Sequence, residues 1–206
     1  MNLLVIAKAP VPGRVKTRLT PPCSPEQAAE LAGAALSDTL AAACRARRPS
    51  RRVLVLDGEP GGWVPDGFTV LPQRGDGLAA RLAAAFEDAG GPAFLVGMDT
   101  PQVTPELLDA GLDALAGADA AFGAALDGGY WGIGLRSPSR DAFRGVPMSA
   151  GNTGAVQQAR LAVLGLRTIP LPPLRDVDTI ADARAVAAEA PGSRFAAALA
   201  ELEPAA

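Results

Sequence analysis

The sequence predicts an α/β fold with a mostly parallel central sheet and one added antiparallel hairpin. Three features point to it. Short apolar runs such as Leu3-Leu4-Val5-Ile6 and Ala93-Phe94-Leu95-Val96-Gly97 alternate with helical stretches of ten or more residues, the pattern of right-handed βαβ units. Asp127-Gly128-Gly129 separates the apolar runs 120–125 and 130–135, which marks a hairpin. The chain has 206 residues, 49% of them apolar, enough for one domain, residues 1–206, with a sizeable buried core.

Taken in order, Leu3-Leu4-Val5-Ile6 is the first buried strand, closed by the Pro10, Pro12 and Gly13 loop. Ser24-Pro25-Glu26-Gln27 starts a helix, with Ser as N-cap, Pro at the first position and Gln at the third; it runs to about Arg47. Val53-Leu54-Val55-Leu56 and Phe68-Thr69-Val70-Leu71 are the second and third strands. Residues 77–89 are helical, with Leu78, Leu82 and Phe86 on one face. The fourth strand, 93–97, is the most apolar and therefore central. Thr104-Pro105-Glu106 opens a helix that ends near Gly117, and the two hairpin strands follow. A helix over 154–164, a strand over 166–169, a helix over 182–190 opened by Thr179 and a short helix over 194–202 complete the chain.

Composition excludes several chemistries. There is no histidine, so Ser-His-Asp and Cys-His catalysis, histidine-ligated zinc and histidine general bases are ruled out. The net charge of −3 argues against nucleic acid or an anionic membrane as partner. Cys23 and Cys44 form no CxxC pair, no apolar run reaches membrane-span length, and the first residues lack a basic leader. The expected location is the cytoplasm.

In open α/β sheets ligands sit beyond the carboxyl ends of the strands, so the loops there carry the candidate chemistry. After the first strand, Lys8, Arg14, Lys16 and Arg18 place four cations within eleven residues, and both of the chain's lysines are among them. Ammonium and guanidinium groups suit phosphate oxygens, and Gly13 lets backbone approach a ligand closely. The competing interpretation is a solvated loop. No Walker or GxGxxG pattern is present. Together Ala7, Lys8, Gly13, Arg14, Lys16 and Arg18 are the candidate nucleotide-binding residues, joined by Asp76 beyond the third strand, near a base or ribose.

Asp99 leaves the carboxyl end of the fourth strand in Gly97-Met98-Asp99-Thr100-Pro101, where a carboxylate can hold Mg²⁺ or Mn²⁺ or form an Asx-turn. Asp176 and Asp178 alternate after the last strand, and Thr179 can cap the following helix. Asp127, Gly128, Gly129 and Tyr130 at the hairpin, with Asn152 and Thr153 at a helix start, are candidate substrate contacts; turn formation and capping are the competing roles. Trp131 fits base stacking or the core.

These segments, in this order, resemble a bacterial family of glycosyltransferase A (GT-A) type, DUF2064, within the nucleotide-diphospho-sugar transferase superfamily. The resemblance spans about residues 1–190. It implies a three-layer, Rossmann-like GT-A fold, with Arg14, Lys16 and Arg18 on nucleotide phosphates. It also implies Mg²⁺ or Mn²⁺ held by Asp99 and Asp178. A Pro-rich loop replaces the usual Gly-rich one, and the DxD of many glycosyltransferases is reduced to Met98-Asp99-Thr100.

Three functions follow as expectations. The first is metal-dependent nucleotidyl transfer from an NTP to a small phosphorylated or acidic acceptor, with Lys16, Arg14 and Asp99 as the catalytic set. The second is glycosyl transfer from an NDP-sugar, with Asp127 as base. The third is nucleotide binding without catalysis.

Overall fold

The computed structural model describes residues 1–202. Seven strands form one sheet: β1 (Asn2–Lys8), β2 (Arg51–Asp57), β3 (Phe68–Pro72), β4 (Ala93–Gly97), β5 (Ala120–Ala125), β6 (Tyr130–Leu135) and β7 (Thr168–Leu174). Their order is β3-β2-β1-β4-β6-β5-β7. Only β6 runs against its neighbours, pairing antiparallel with both β4 and β5. β4 occupies the middle of the sheet, as its apolar run requires.

The order reverses at β1. The chain steps outward from β1 to β2 and β3, then returns to place β4 on the other side of β1. Connections leaving β1 and β4 therefore diverge, and a crevice opens between them at the strands' carboxyl ends. This topology places the loop after β1 opposite the loop after β4.

Alternation along β1 divides the core. Leu3 and Val5 face one side, with Leu54, Phe94 and Val96, and are covered by Leu36 and Leu40 of α1 (Pro25–Arg45) and Leu108 and Leu112 of α3 (Pro105–Gly117). Leu4, Val53 and Leu95 face the other, under Leu82 and Phe86 of α2 (Gly77–Ala89) and Leu161 of α4 (Thr153–Val163). The result is three layers.

A third cluster holds Leu19, Leu31, Val177, Val186 and Phe195, tying the end of the β1 loop to α5 (Ile180–Glu189) and α6 (Arg194–Leu202). Leu19 and Val177 are wholly buried. Burying side chains of this size contributes roughly 1.5–3 kcal/mol each. That anchors the basic loop and the 175–178 segment to one another.

The caps sit where the sequence places them. Ser24 and Gln27 form a reciprocal capping box, as do Thr179 and Asp182, and the Thr104 hydroxyl accepts from Leu107 N–H. Three details differ from expectation. α1 ends at Arg45, two residues early, where Ala46 turns to extended backbone. β7 is Thr168–Leu174 rather than 166–169; its Pro170, Pro172 and Pro173 are accommodated because this is an edge strand paired only with β5. Leu78 does not share the core face of Leu82 and Phe86. It is 42% exposed, because the first turn of α2 borders the crevice. Among the described residues no helix is long and apolar enough to cross a membrane.

Candidate active site

A cleft of about 870 Å³ lies over the carboxyl ends of β1 and β4, within the size range of small-molecule sites. Its walls are electrically divided. Lys8, Arg14, Lys16 and Arg18, from β1 and its loop, and Arg81 from α2 supply the positive groups; Asp99, Asp127, Asp176 and Asp178 supply the negative ones. The cations come from the β1–α2 half of the chain and the carboxylates from the β4–β7 half.

The two walls meet at Lys16. Its ammonium lies 2.6 Å from Asp99 Oδ1 and donates to the Val177 carbonyl. Asp99 O in turn accepts from Val177 N–H at 2.9 Å, so strand end, loop and late segment lock together. The Lys16 side chain is only 7% exposed, while Asp99 is 45% exposed. Lys16 also adopts the left-handed conformation, φ 48°, which a non-glycine residue holds only where its surroundings demand it. Arg18 Nη1 reaches Asp178 Oδ2 at 2.6 Å, across 160 residues of sequence. The resemblance implied phosphate contacts for Lys16 and Arg18; in this structure both reach carboxylates. Lys8, Arg14 and Arg18 are all exposed, and the Lys16 side chain is the buried member of the set.

Asp176 is strongly perturbed. Burial is the main cause, followed by repulsion from Asp99, Asp127 and Asp178, with Lys16 opposing. Its carboxyl is pushed up to about 7. Its Oδ1 is buried with no hydrogen-bond partner.

A network beneath the basic loop has no counterpart in the sequence expectations. Arg81 Nη1 donates to Asp57 Oδ2 at 3.0 Å and to Gln73 Oε1 at 3.2 Å, and Gln73 Nε2 donates to the Ala7 carbonyl at 2.8 Å. Arg14 Nη2 lies 4.0 Å from the other oxygen of Asp57. Asp57 leaves the carboxyl end of β2 as Asp99 leaves β4, and the same positional argument selects it. Arg81 depends on α2 bordering the crevice, which sequence alone does not supply.

On the far side the hairpin turn docks against the loop before α4. Gly154 N–H donates to the Gly128 carbonyl at 2.8 Å, and Asp127 Oδ1 accepts from Gly129 N–H at 2.8 Å. Gly128 has φ 90°, and a Cβ there would sit 1.9 Å from the Gly151 carbonyl oxygen, so only glycine fits. Tyr130 packs its ring against Phe122, with centroids 5.3 Å apart, and burial raises its phenol. Ser149 lines the cleft in the left-handed region, φ 60°. Trp131 is core: it is 2% exposed, lies edge-on to Phe94 and donates to the Pro172 carbonyl.

Of the candidate residues, Ala7, Lys8, Arg14, Lys16, Arg18, Asp99, Asp127, Gly129, Tyr130, Thr153 and Asp178 line one cleft. Gly13, Asp76, Gly128 and Asn152 do not. Gly13 turns in open space at φ 75°, Gly128 spaces the hairpin, and Asp76 and Asn152 sit at the N-cap positions of α2 and α4 without making side-chain caps. The Thr153 hydroxyl is committed to the carbonyls of Pro147 and Ala150.

Among the described residues no three His, Cys, Asp or Glu side chains form a closed metal cage. Mg²⁺ commonly takes one or two carboxylates and completes its shell with water and phosphate. Asp99 and Asp178 offer hard oxygens of that kind, and the unpartnered Asp176 Oδ1 is a third nearby. The donor chemistry fits such an ion.

The seven-stranded, mostly parallel sheet with one reversed strand matches the fold of a nucleotide-diphospho-sugar transferase. The chain belongs to the bacterial family DUF2064, described as an uncharacterized protein conserved in bacteria, whose model matches residues 33–150. A candidate nucleotide-diphospho-sugar transferase from Desulfovibrio desulfuricans G20 superposes with a TM-score of 0.87 at 27% identity, over 98% of this chain and 94% of that one. A nucleotidyl transferase from Methanothermobacter has TM-score 0.57 and 18% identity, over 90% and 95%. A CMP:2-keto-3-deoxy-manno-octonic acid synthetase complexed with CTP has TM-score 0.56 and 12% identity, over 90% and 96%. The last two share the fold alone. No curated protein matches the chain.

Proposed function

We propose that the protein is a metal-dependent nucleotidyltransferase, drawing on an NTP and releasing pyrophosphate. One observation carries this reading: an exposed cationic wall faces a set of strand-end carboxylates across a single cleft, with Lys16 and Asp99 2.6 Å apart where they meet. The nucleotidyl transferase and the CTP-bound synthetase that share the fold support it.

Phosphoryl chemistry of this kind needs positioning and charge compensation more than covalent help. Lys8 and Arg14 hold the polyphosphate and offset its charge. Lys16 fixes Asp99 and the 176–178 segment, acting as a positioning residue. Asp99 and Asp178 would hold Mg²⁺ or Mn²⁺, which when bound neutralises charge on the phosphates and the departing pyrophosphate. The network of Asp57, Arg81 and Gln73 stiffens the floor under the loop.

Glycosyl transfer from an NDP-sugar is the second reading, favoured by the description of the Desulfovibrio relative. Incubation with Mg²⁺ and each of the four NTPs or a panel of NDP-sugars, in the presence of small acceptors, separates the two. Pyrophosphate release supports nucleotidyl transfer, NDP release supports glycosyl transfer, and neither product with any donor contradicts both.

A further inference from the structure

The division of charge in the cleft has a bearing on the second substrate. Every lysine and arginine of the walls lies on β1, its loop or α2. Beyond Asp99 the wall carries Asp127, Asp176 and Asp178 and no lysine or arginine of its own. Lys16 and Arg18 reach across, but their ion pairs go to Asp99 and Asp178. A divalent ion would also sit at those two. Among the described residues Asp127 and Asp176 make no ion pair, and Asp127 is exposed to the cleft.

This side also carries the Tyr130 ring, Met148, the Thr153 hydroxyl, which is committed to backbone carbonyls, and the Ser149 hydroxyl, which makes no hydrogen bond among the described residues. An anionic acceptor on this side would face the exposed, unpaired Asp127 carboxylate, and like charges so placed repel one another. An amine would hold a proton more tightly beside carboxylates and keep its lone pair occupied. A hydroxyl meets neither obstacle.

We propose that the acceptor half of the cleft takes an uncharged alcohol, oriented by Asp127 and Ser149. This replaces the phosphorylated or acidic acceptor expected from the sequence, and it rests on the nucleotidyl reading. Asp127 Oδ1 is held by Gly129 N–H, which leaves Oδ2 to face the acceptor hydroxyl. In the reaction the acceptor oxygen bonds to the α-phosphorus as the bond from that phosphorus to the α–β bridging oxygen breaks. Pyrophosphate leaves with that electron pair, and the hydroxyl proton passes to Asp127.

The test uses the full chain with Mg²⁺ and the NTP that most raises its melting temperature. Matched probes differing by one phosphate are compared: glycerol against glycerol 3-phosphate, ribitol against ribitol 5-phosphate, and glucose against glucose 6-phosphate. The uncharged member of a pair should accelerate pyrophosphate release at least about tenfold over its phosphate ester and yield a nucleotide-linked product by mass spectrometry. Asp127→Asn, which keeps the turn's hydrogen-bond acceptor, should lower kcat for the alcohol by about 10²-fold and leave the KM for the NTP unchanged. Faster reaction with the phosphate esters, no acceleration by any uncharged probe, or an Asp127→Asn enzyme of wild-type kcat overturns the proposal. Failure of every NTP to bind would instead overturn the nucleotidyl reading beneath it.

Discussion

Replacing Asp176 by asparagine should stabilise the metal-free, ligand-free protein in mildly alkaline solution and do much less in mild acid. Asp176 is pushed up to about 7 from 3.8, chiefly by burial and then by Asp99, Asp127 and Asp178. The folded state therefore binds a proton that the unfolded chain has already released between these values. Stability falls with rising pH across that window and levels off above about 7. One proton held over one pH unit corresponds to about 1.4 kcal/mol, so the interval from about pH 5 to pH 7 accounts for about 2–3 kcal/mol. Asparagine keeps the shape and carries no charge, so its advantage over aspartate should grow by that amount. Urea denaturation in EDTA at about pH 5 and about pH 8 measures both proteins. A gap between variant and wild type that stays constant over this range would show that Asp176 does not keep its proton in the fold.

Three further outcomes follow from the geometry. Gly128→Ala forces a Cβ to within 1.9 Å of the Gly151 carbonyl at φ 90°, and should cost at least about 2 kcal/mol by thermal or urea denaturation. Lys16→Met should retain the wild-type far-ultraviolet circular dichroism while lowering turnover by about 10²-fold, since Asp99 and the 176–178 segment lose their common tether. Arg81→Ala releases Asp57 to pair with Arg14 and should weaken nucleotide binding about tenfold in isothermal titration, with unaltered binding counting against the network's role.

The parts of the fold that repeat locally are readable in the sequence. Alternating apolar runs locate β1 to β4, and Asp127-Gly128-Gly129 locates the β5–β6 turn. Capping residues set the starts of α1, α3 and α5. What local pattern does not carry is context. Prolines 170, 172 and 173 look like strand breakers because edge position, which excuses a missing N–H, is a property of the finished sheet. Leu78 looks like core because helix phase does not reveal that the first turn of α2 borders an open cleft.

The candidate site divides the same way. Strand-end position selects Asp99 and Asp57 equally well, yet nothing beside Asp57 in the sequence marks it as part of a site. The pairs Lys16–Asp99 and Arg18–Asp178 join segments far apart in sequence, and no periodicity encodes them. They arise because β1 lies beside β4 and because Leu19 and Val177 share one apolar cluster. Gly13, Asp76 and Asn152 owe their candidacy to adjacency to functional segments, and none of the three lines the cleft.

If the protein works as proposed, its strand-end carboxylates receive a divalent ion together with the nucleotide. Titration of Mn²⁺ into the protein, followed by the loss of the free-ion paramagnetic resonance signal with and without an NTP, addresses this directly. NTP should tighten Mn²⁺ binding by the wild type, and Asp99→Asn and Asp178→Asn should each weaken it at least about tenfold. Mn²⁺ affinity that ignores both substitutions and the nucleotide would contradict the proposed function.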